Sequence, residues 1–195
     1  MNGIKFYPNM KIEIKTEILP LRGLPLINFG DTIEDVESIL GKPEETLMLE
    51  DIEERTLPAM VYLYWNSCLT FFFSTLEEKP FLIMIETDDL NAQLLDEKIF
   101  KMKPKQLIAL LSGQKLFDFE KEQERHEIRY TWDEWNIDFY FDGDKLSTVN
   151  WSAQLDDTGH VVIPVEFTIN GIPMYKAKSP SHISKSGMYC AATHD

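Results

Sequence analysis

The sequence predicts an α+β fold of two tandem repeats, each a helix followed by an antiparallel meander. The repeats form one sheet with the helices on one face, plus a C-terminal β-hairpin. A weak internal similarity supports this, since residues 29–86 align with residues 100–150 in the same order of predicted elements. The aligned apolar helix positions are Val36 with Leu107, Ile39 with Leu110 and Leu40 with Leu111. The aligned strand positions are Trp65 with Trp132, Phe71 with Phe139, Phe73 with Phe141 and Ile85 with Val149. A duplicated sheet suggests a surface for holding another molecule.

The chain divides into four predicted segments that pack as one compact unit. They are an N-terminal strand and lead-in at residues 1–26, repeat 1 at 27–97, repeat 2 at 98–152, and a C-terminal hairpin with a polar tail at 153–195. Residues 11–19 alternate polar and apolar side chains, which is the period of a half-buried strand. Pro20, Gly23 and Pro25 then interrupt that strand.

The first helix is predicted to begin at Asp31 or Thr32. Thr32 and Asp35 have the spacing of a capping box, and Gly41 followed by Pro43 ends the helix. After an acidic loop, three aromatic-rich runs predict the strands of the first meander at residues 60–65, 69–74 and 81–87.

The second repeat is predicted from similar signals. Residues 88–98 are expected to form a short connecting helix, because Leu90, Leu94 and Leu95 recur at helical spacing. Pro104 is tolerated in a first turn and opens the second helix. The remaining predicted strands are 126–132, 136–141 and 145–151, followed by 161–169 and 172–176 around an Asn170-Gly171 turn.

The charge of the chain is strongly negative. The formal net charge is −14, and ten acids stand against Lys42 and Arg55 between residues 28 and 56. Phosphate backbones would be repelled, which argues against nucleic-acid binding. A basic protein would be attracted. The alternative is that the acidic surface only keeps the protein soluble.

The sequence predicts a cytoplasmic protein. No apolar run reaches the length of a membrane helix, and the first residues lack the pattern of a secretory signal. Two cysteines, Cys68 and Cys190, are too few for a disulfide framework and agree with a reducing compartment. A single bridge between them is the alternative.

Alternation assigns the strand side chains to two faces. Leu69, Phe71 and Phe73 are expected to point to the helices, with Trp65 and Trp132 also in the core. The opposite face is predicted to bind a partner through Tyr62, Tyr64, Phe72, Met84, Glu86, Arg129, Asp138, Tyr140 and Asn150. Such a mixture of aromatic and charged side chains is typical of protein interfaces. Alternatively, the C-terminal hairpin or a second copy covers this face.

The segment FGDTIEDVESILGKPEE at residues 29–45, followed by aromatic-rich strands, resembles the repeat of the β-lactamase-inhibitor-protein-like superfamily. In the inhibitors of that superfamily, two tandem helix-plus-sheet units form a concave sheet that grips a target enzyme. The resemblance covers residues 27–151 and implies such a fold and a protein-binding sheet. The chain departs from the exported members in lacking a signal peptide, a lipidated cysteine and a disulfide in each repeat. The matching motif directs folding, so no inhibitory residue carries over.

The sequence predicts that the protein is not an enzyme and has no cofactor and no metal site. Cys68 stands beside Asn66 and Ser67 without a catalytic signature, and Cys190 and His194 provide only two potential zinc ligands. Neither a P-loop nor a dinucleotide fingerprint occurs.

The predicted function is therefore a non-enzymatic acidic protein-binding module, best interpreted as an immunity or inhibitor protein that occludes a basic toxin or enzyme. Asp51, Glu53 and Glu54 are expected to speed the encounter, and the outer sheet face to supply buried contacts. The alternatives are a small-ligand binder or sensor, and a structural homodimer subunit.

Overall fold

A single eight-stranded antiparallel sheet dominates the structure. The computed structural model describes residues 15–50 and 58–162, and the strands at 165–169 and 172–176. The first elements in chain order are β1 (Gly23–Leu24), β2 (Ile27–Asn28), α1 (Ile33–Leu40), β3 (Glu45–Leu49), β4 (Ala59–Tyr64), β5 (Leu69–Ser74), β6 (Phe81–Thr87), β7 (Gln93–Leu94) and β8 (Glu97–Lys98). They are followed by α2 (Pro104–Gly113), β9 (Glu120–Glu124), β10 (Glu127–Trp132), β11 (Ile137–Asp142), β12 (Lys145–Ser152), β13 (Gln154–Leu155), β14 (Val161–Val162), β15 (Val165–Ile169) and β16 (Ile172–Lys176). Short 3-10 turns occupy Trp65–Ser67, Ile99–Lys101 and Asp133–Trp135.

The strand order in the main sheet is β3-β4-β5-β6-β12-β11-β10-β9. Its centre is the antiparallel pair of β6 and β12, in which Ile85 lies opposite Trp151 and Glu86 opposite Asn150. The edges of this sheet are β3 and β9, and β15 pairs with β16 in a separate hairpin.

The main core lies between one face of the sheet and the two helices, and we call this the inner face. Val36 of α1 and Leu107 and Leu111 of α2 are buried there. The fully buried aromatic side chains of this core are Phe71, Phe73, Trp132, Phe139, Phe141 and Trp151. The Trp151 Nε1–H also donates a hydrogen bond of 3.0 Å to the carbonyl of Gly23, which ties the lead-in to the sheet. A smaller apolar cluster of Val61, Phe72, Ile83 and Met84 lies on the opposite face, the outer face.

Local signals set both ends of α1 and the start of α2 as predicted. At α1, Thr32 and Asp35 form a reciprocal capping box, which satisfies backbone amides that a helix start leaves without partners. Gly41 ends this helix with a φ of 80°, a value that favours glycine. Pro104 opens α2 at its first position.

We expect Thr32→Ala to lower the free energy of unfolding by about 1 kcal/mol, because the Asp35 amide loses its side-chain acceptor. Urea denaturation checks this, with Thr32→Ser as the matched control that keeps the hydroxyl. An equal loss in both variants would show that the cap is not the cause.

The predicted fold class, an α+β chain of two tandem helix-plus-meander repeats, is wrong. The structure is mostly β, with one continuous sheet of eight strands and only two short helices among the described residues. The physical reason lies at the sheet edges. The strand β3 lies in the segment predicted to be an acidic loop, and β9 was not predicted, because neither segment alternates apolar with polar residues.

Two local predictions are also wrong, and a third prediction concerns a segment that lies partly outside the described residues. Residues 88–98 form the small β7–β8 ladder rather than a helix, with Leu95 and Asp96 at positive φ in its turn. Trp65 is 56% exposed in a 3-10 turn instead of in the core. The predicted strand 161–169 is present in part as β14 and β15, and the predicted strand 172–176 is present as β16. The Asn170-Gly171 turn and the polar tail lie outside the described residues.

In the part of the chain that the structure describes, neither helix has the length and apolarity needed to cross a bilayer. Cys68 is a free, exposed thiol, and Cys190 lies outside the described residues.

Candidate protein-binding face

Strand register aligns outward-facing polar side chains in one line across the middle of the sheet. We call this line the polar row. Each member lies directly opposite the next on the neighbouring strand, in the order Thr70, Glu86, Asn150, Asp138 and Thr131. Opposed residues on antiparallel strands bring their Cβ atoms to within about 5.5 Å, so neighbouring side chains contact one another.

An apolar row runs beside the polar row, and each of its members is displaced by two residues along its strand from the line of the polar row. Its members are Leu47, Val61, Phe72 and Met84, again opposed strand by strand. Val61, Phe72 and Met84 are buried, and partly buried Leu155 and Val161 pack against them. The apolar row is therefore covered in its middle and open at the β3 edge, where Leu47 is exposed.

A third line on the other side of the polar row carries an ion pair. Tyr140 lies opposite Arg129, and Arg129 opposite Glu122. The Arg129 guanidinium donates to the Glu122 carboxylate at 2.5 Å. The Asn150 amide donates to the Tyr140 hydroxyl at 3.3 Å, and Thr131 donates to the Asp138 carboxylate. These bonds hold the side chains of β10, β11 and β12 in fixed positions.

Glu86 stands apart within this network. Among the described residues, its carboxylate has neither a hydrogen-bond donor nor a basic partner. Burial raises its pKa to about 7, and the negative charge of Asp88 adds to the effect. At neutral pH the side chain is therefore a half-buried carboxylate close to its midpoint of ionisation.

Asp138, the other acid of the polar row, has neighbours that stabilise its charged form. Burial raises the pKa of Asp138, while the hydrogen bond from Thr131 and the charge of Arg129 oppose that shift. Burial likewise raises the pKa of Tyr140, so its hydroxyl remains protonated at neutral pH. The two carboxylates lie on either side of Asn150, and only Asp138 has partners within the sheet.

The structure groups seven of the predicted contact residues on the outer face. Glu86, Asn150 and Asp138 belong to the polar row, Arg129 and Tyr140 to the line beside it, and Phe72 and Met84 to the apolar row. Asp51, Glu53 and Glu54 lie outside the described residues.

Tyr62 and Tyr64 are not on the outer face, contrary to prediction. Both are buried in the inner core. The ring of Tyr62 makes an edge contact with the ring of Phe73, with 5.2 Å between the ring centroids, and Tyr64 makes one with Phe71, with 5.5 Å between the centroids. The Tyr64 hydroxyl donates to the carbonyl of Gly41 at 2.8 Å. The error follows from placing Trp65 in the core, since a shift of one residue reverses every side chain of a strand.

Four contributors to this face were missed, namely Leu47, Val61, Thr131 and Glu122. Thr131 follows Arg129 by two residues on the same strand, so strict alternation would have found it. Glu122 had no such signal, because β9 itself was not predicted.

No group of three or more histidine, cysteine or acidic side chains suited to a metal ion occurs within the described ranges. A cavity of about 580 Å³ lies between the start of α2 and the β10 strand. Its lining includes Lys103, Lys105, Lys121 and Tyr130, and Lys103 pairs with Asp144 at 3.3 Å. This cavity takes in no residue of the polar row.

Comparison with known proteins does not assign the chain to a family. No family model matches it, and no curated protein matches it. An extracellular protein containing an SCP domain from Bacillus anthracis aligns over 88% of this chain and 57% of its own length, at 13% identity and a TM-score of 0.43. A DUF4309 family protein, YjgB, from Bacillus subtilis aligns over 70% of this chain and 87% of its own, at 20% identity and a TM-score of 0.40. At these TM-scores, neither likeness supports a conclusion about fold or function.

Proposed function

We propose that this protein is a non-enzymatic binding module that holds a basic partner protein against the outer face of its sheet. In its most specific form, the proposal is that it acts as an immunity or inhibitor protein in the cytoplasm and occludes a toxin or enzyme. The observation that carries the proposal is Glu86, a half-buried carboxylate for which the described residues provide no positive charge.

A carboxylate in this position destabilises the folded protein at neutral pH. Its pKa lies well above the usual value of an exposed glutamate, so keeping it ionised in the folded state costs free energy. Groups that oppose stability are concentrated at functional sites, where the ligand supplies the missing interaction. A lysine or arginine of a partner would supply it for Glu86, and Asp138 would reinforce the attraction across Asn150.

The polar side chains beside Glu86 are already fixed by hydrogen bonds, from Thr131 to Asp138 and from Asn150 to Tyr140. Fixed side chains lose little conformational entropy on binding, which favours affinity. The overall charge of −14 would speed the encounter with a basic protein, and the proposed steering role of Asp51, Glu53 and Glu54 belongs to this step.

Affinity capture from the native host, or from cells that co-express neighbouring genes, tests the proposal. We expect the wild-type bait to retain one stoichiometric basic protein at low salt, and less of it at high salt. The double variant Glu86→Gln with Asp138→Asn should lose that protein. The matched control, Glu97→Gln with Asp144→Asn, changes two exposed acids away from the outer face and should retain it.

Two results would contradict the proposal. One is equal retention of the partner by the double variant and the control, since the outer face would then not be the contact. The other is recovery of the bait alone, as a monomer or a self-dimer, which would favour the ligand-binding or structural alternatives. If a partner is found, inhibition of its activity by the wild-type protein tests the immunity form of the proposal.

A further inference from the structure

Within the described residues, the β3 strand is an open edge of the main sheet. Among the described strands it pairs only with β4, and all five of its side chains are exposed. Leu47, Met48 and Leu49 are 44%, 57% and 37% exposed. A strand paired on one side presents alternate N–H and C=O groups along its other side, and these can pair with another strand.

The opposite edge of the sheet is built differently. Residues of β9 read Glu-Lys-Glu-Gln-Glu, so charged side chains occupy four of its five positions. Charges on an edge strand oppose pairing with another chain, which is a common protection of natural sheets. In β3 the three consecutive positions Leu47–Leu49 are apolar, and that protection is missing from its centre. The contrast marks β3 as the edge suited to an added strand.

Both faces of the β3 edge offer apolar contacts to such a strand. Leu47 and Leu49 lie opposite Val61 and Ala59 and extend the outer face, while Met48 lies opposite Met60 on the inner side. A new strand beside β3 would place alternate side chains against these two surfaces. Its own apolar residues would cover leucine and methionine side chains that water now reaches.

The acidic residues around β3 determine which charge an added strand should carry. Glu44, Glu45 and Glu50 flank the apolar centre of β3. On the inner side, burial raises the pKa of Tyr62 on the adjacent strand, and the nearby charges of Glu37 and Glu34 of the α1 helix add to that rise. A second copy of this chain would bring the same acids against one another, and like charges on paired strands are destabilising. An extended segment with basic residues at its ends would instead be attracted at both ends.

We propose that β3 is a β-augmentation edge that receives an extended, lysine- or arginine-flanked segment of a partner protein. The partner segment adds one strand to the eight-stranded sheet, with main-chain hydrogen bonds supplying affinity and the acids beside β3 supplying specificity. This surface is separate from the polar row, because no residue of β3 belongs to that row. The inference therefore extends the proposed function to a second contact and does not depend on Glu86.

Hydrogen exchange of the full chain with a synthetic peptide tests the inference. The probe is Lys-Lys-Val-Thr-Val-Thr-Val-Lys-Lys, compared with an analogue that has glutamate for every lysine and one that has proline at the central valine. We expect the basic peptide to slow amide exchange in residues 45–49 by about tenfold or more, and the two analogues to have no effect. The proline analogue keeps the charge, so it separates strand pairing from general attraction.

Matched variants locate the contact. Leu47→Lys with Leu49→Lys should weaken binding of the basic peptide by about tenfold or more, as measured by fluorescence anisotropy. The control Gln123→Lys, on the β9 edge, should bind as the wild type does. Circular dichroism checks that all variants fold, which is expected because these side chains are exposed. The variant Glu86→Gln with Asp138→Asn should bind the peptide normally, which distinguishes this inference from the proposed function.

Several outcomes would overturn the inference. They are an absence of binding at about 1 mM peptide, equal binding of the glutamate or proline analogue, protection that excludes residues 45–49, and unchanged binding by the double lysine variant. Protection of residues 45–49 that rises with protein concentration in the absence of peptide would also overturn it, because a second copy would then occupy the edge.

Discussion

Glu86→Gln is expected to stabilise the protein at pH 8 by about 2 kcal/mol and to leave its stability nearly unchanged at pH 4.5. The pKa of Glu86 is about 7 in the folded protein against 4.5 in the unfolded chain. Above pH 7 both states carry the charge, and only the folded state holds it in a half-buried position. The full difference in pKa corresponds to about 3 kcal/mol, and partial access to solvent reduces this value.

The sign of the pH dependence follows from proton binding. Between pH 4.5 and 7 the folded protein binds the Glu86 proton more tightly than the unfolded chain does. The contribution of Glu86 to stability therefore improves as pH falls through this window and worsens as pH rises. Glutamine removes that dependence. The quantity to compare is the difference in unfolding free energy between variant and wild type, because other carboxyl groups contribute equally to both.

Urea denaturation at pH 5, 6, 7 and 8 measures that difference. We expect it to be small at pH 5, to grow through pH 6 and 7, and to level off at pH 8. The matched control Glu97→Gln removes an exposed carboxylate on the β8 strand and should show little difference at any of these pH values. A pH-independent difference for Glu86→Gln would mean that its charge is not the source of the effect.

The same substitution connects stability with the proposed function. If the partner supplies a positive charge to Glu86, the variant gains stability as a free protein and loses affinity for the partner. Such opposite effects are typical of positions that are retained for binding rather than for folding. A variant that gained stability and kept full affinity would separate Glu86 from the interface.

The elements that were predicted correctly from the sequence are those with a local chemical signature. The capping box of Thr32 and Asp35, the proline at the start of α2 and the aromatic-rich run of β5 each depend on a few neighbouring residues. Asp138, Tyr140 and Asn150 were assigned to the outer face by the alternation of side chains along a strand. Their grouping with Glu86 depended on one further fact, the pairing of β6 with β12.

The elements that were predicted wrongly or missed have the opposite cause, because their structure depends on residues distant in the sequence. The β3 and β9 strands have no apolar period, and each is held in the sheet by the neighbour with which it pairs. In β4, the run Ala-Met-Val-Tyr-Leu-Tyr is apolar or aromatic at every position, so the residues themselves do not show which set faces inward. The inward direction of Tyr62 and Tyr64 is set by packing against Phe73 and Phe71.

Trp151→Ala is expected to lower the free energy of unfolding by about 4 kcal/mol, the largest loss we predict for a single change. The side chain is fully buried in the inner core beside the central β6–β12 pair, so its removal leaves a large cavity. Its Nε1–H also anchors the lead-in through the Gly23 carbonyl. Trp65→Ala is the matched control, because Trp65 is largely exposed, and it should cost less than about 0.5 kcal/mol.

Trp151→Phe separates the two roles of this residue. Phenylalanine keeps most of the buried ring and removes the hydrogen bond, and we expect a loss of about 1–2 kcal/mol. Hydrogen exchange should then quicken most at residues 19–28, since the lead-in loses its anchor while the strands keep their pairing. Trp151 points to the inner face and Asn150 to the outer, so this variant should leave the polar row and partner binding intact. Equal quickening throughout the sheet would show instead that Trp151 supports the sheet as a whole.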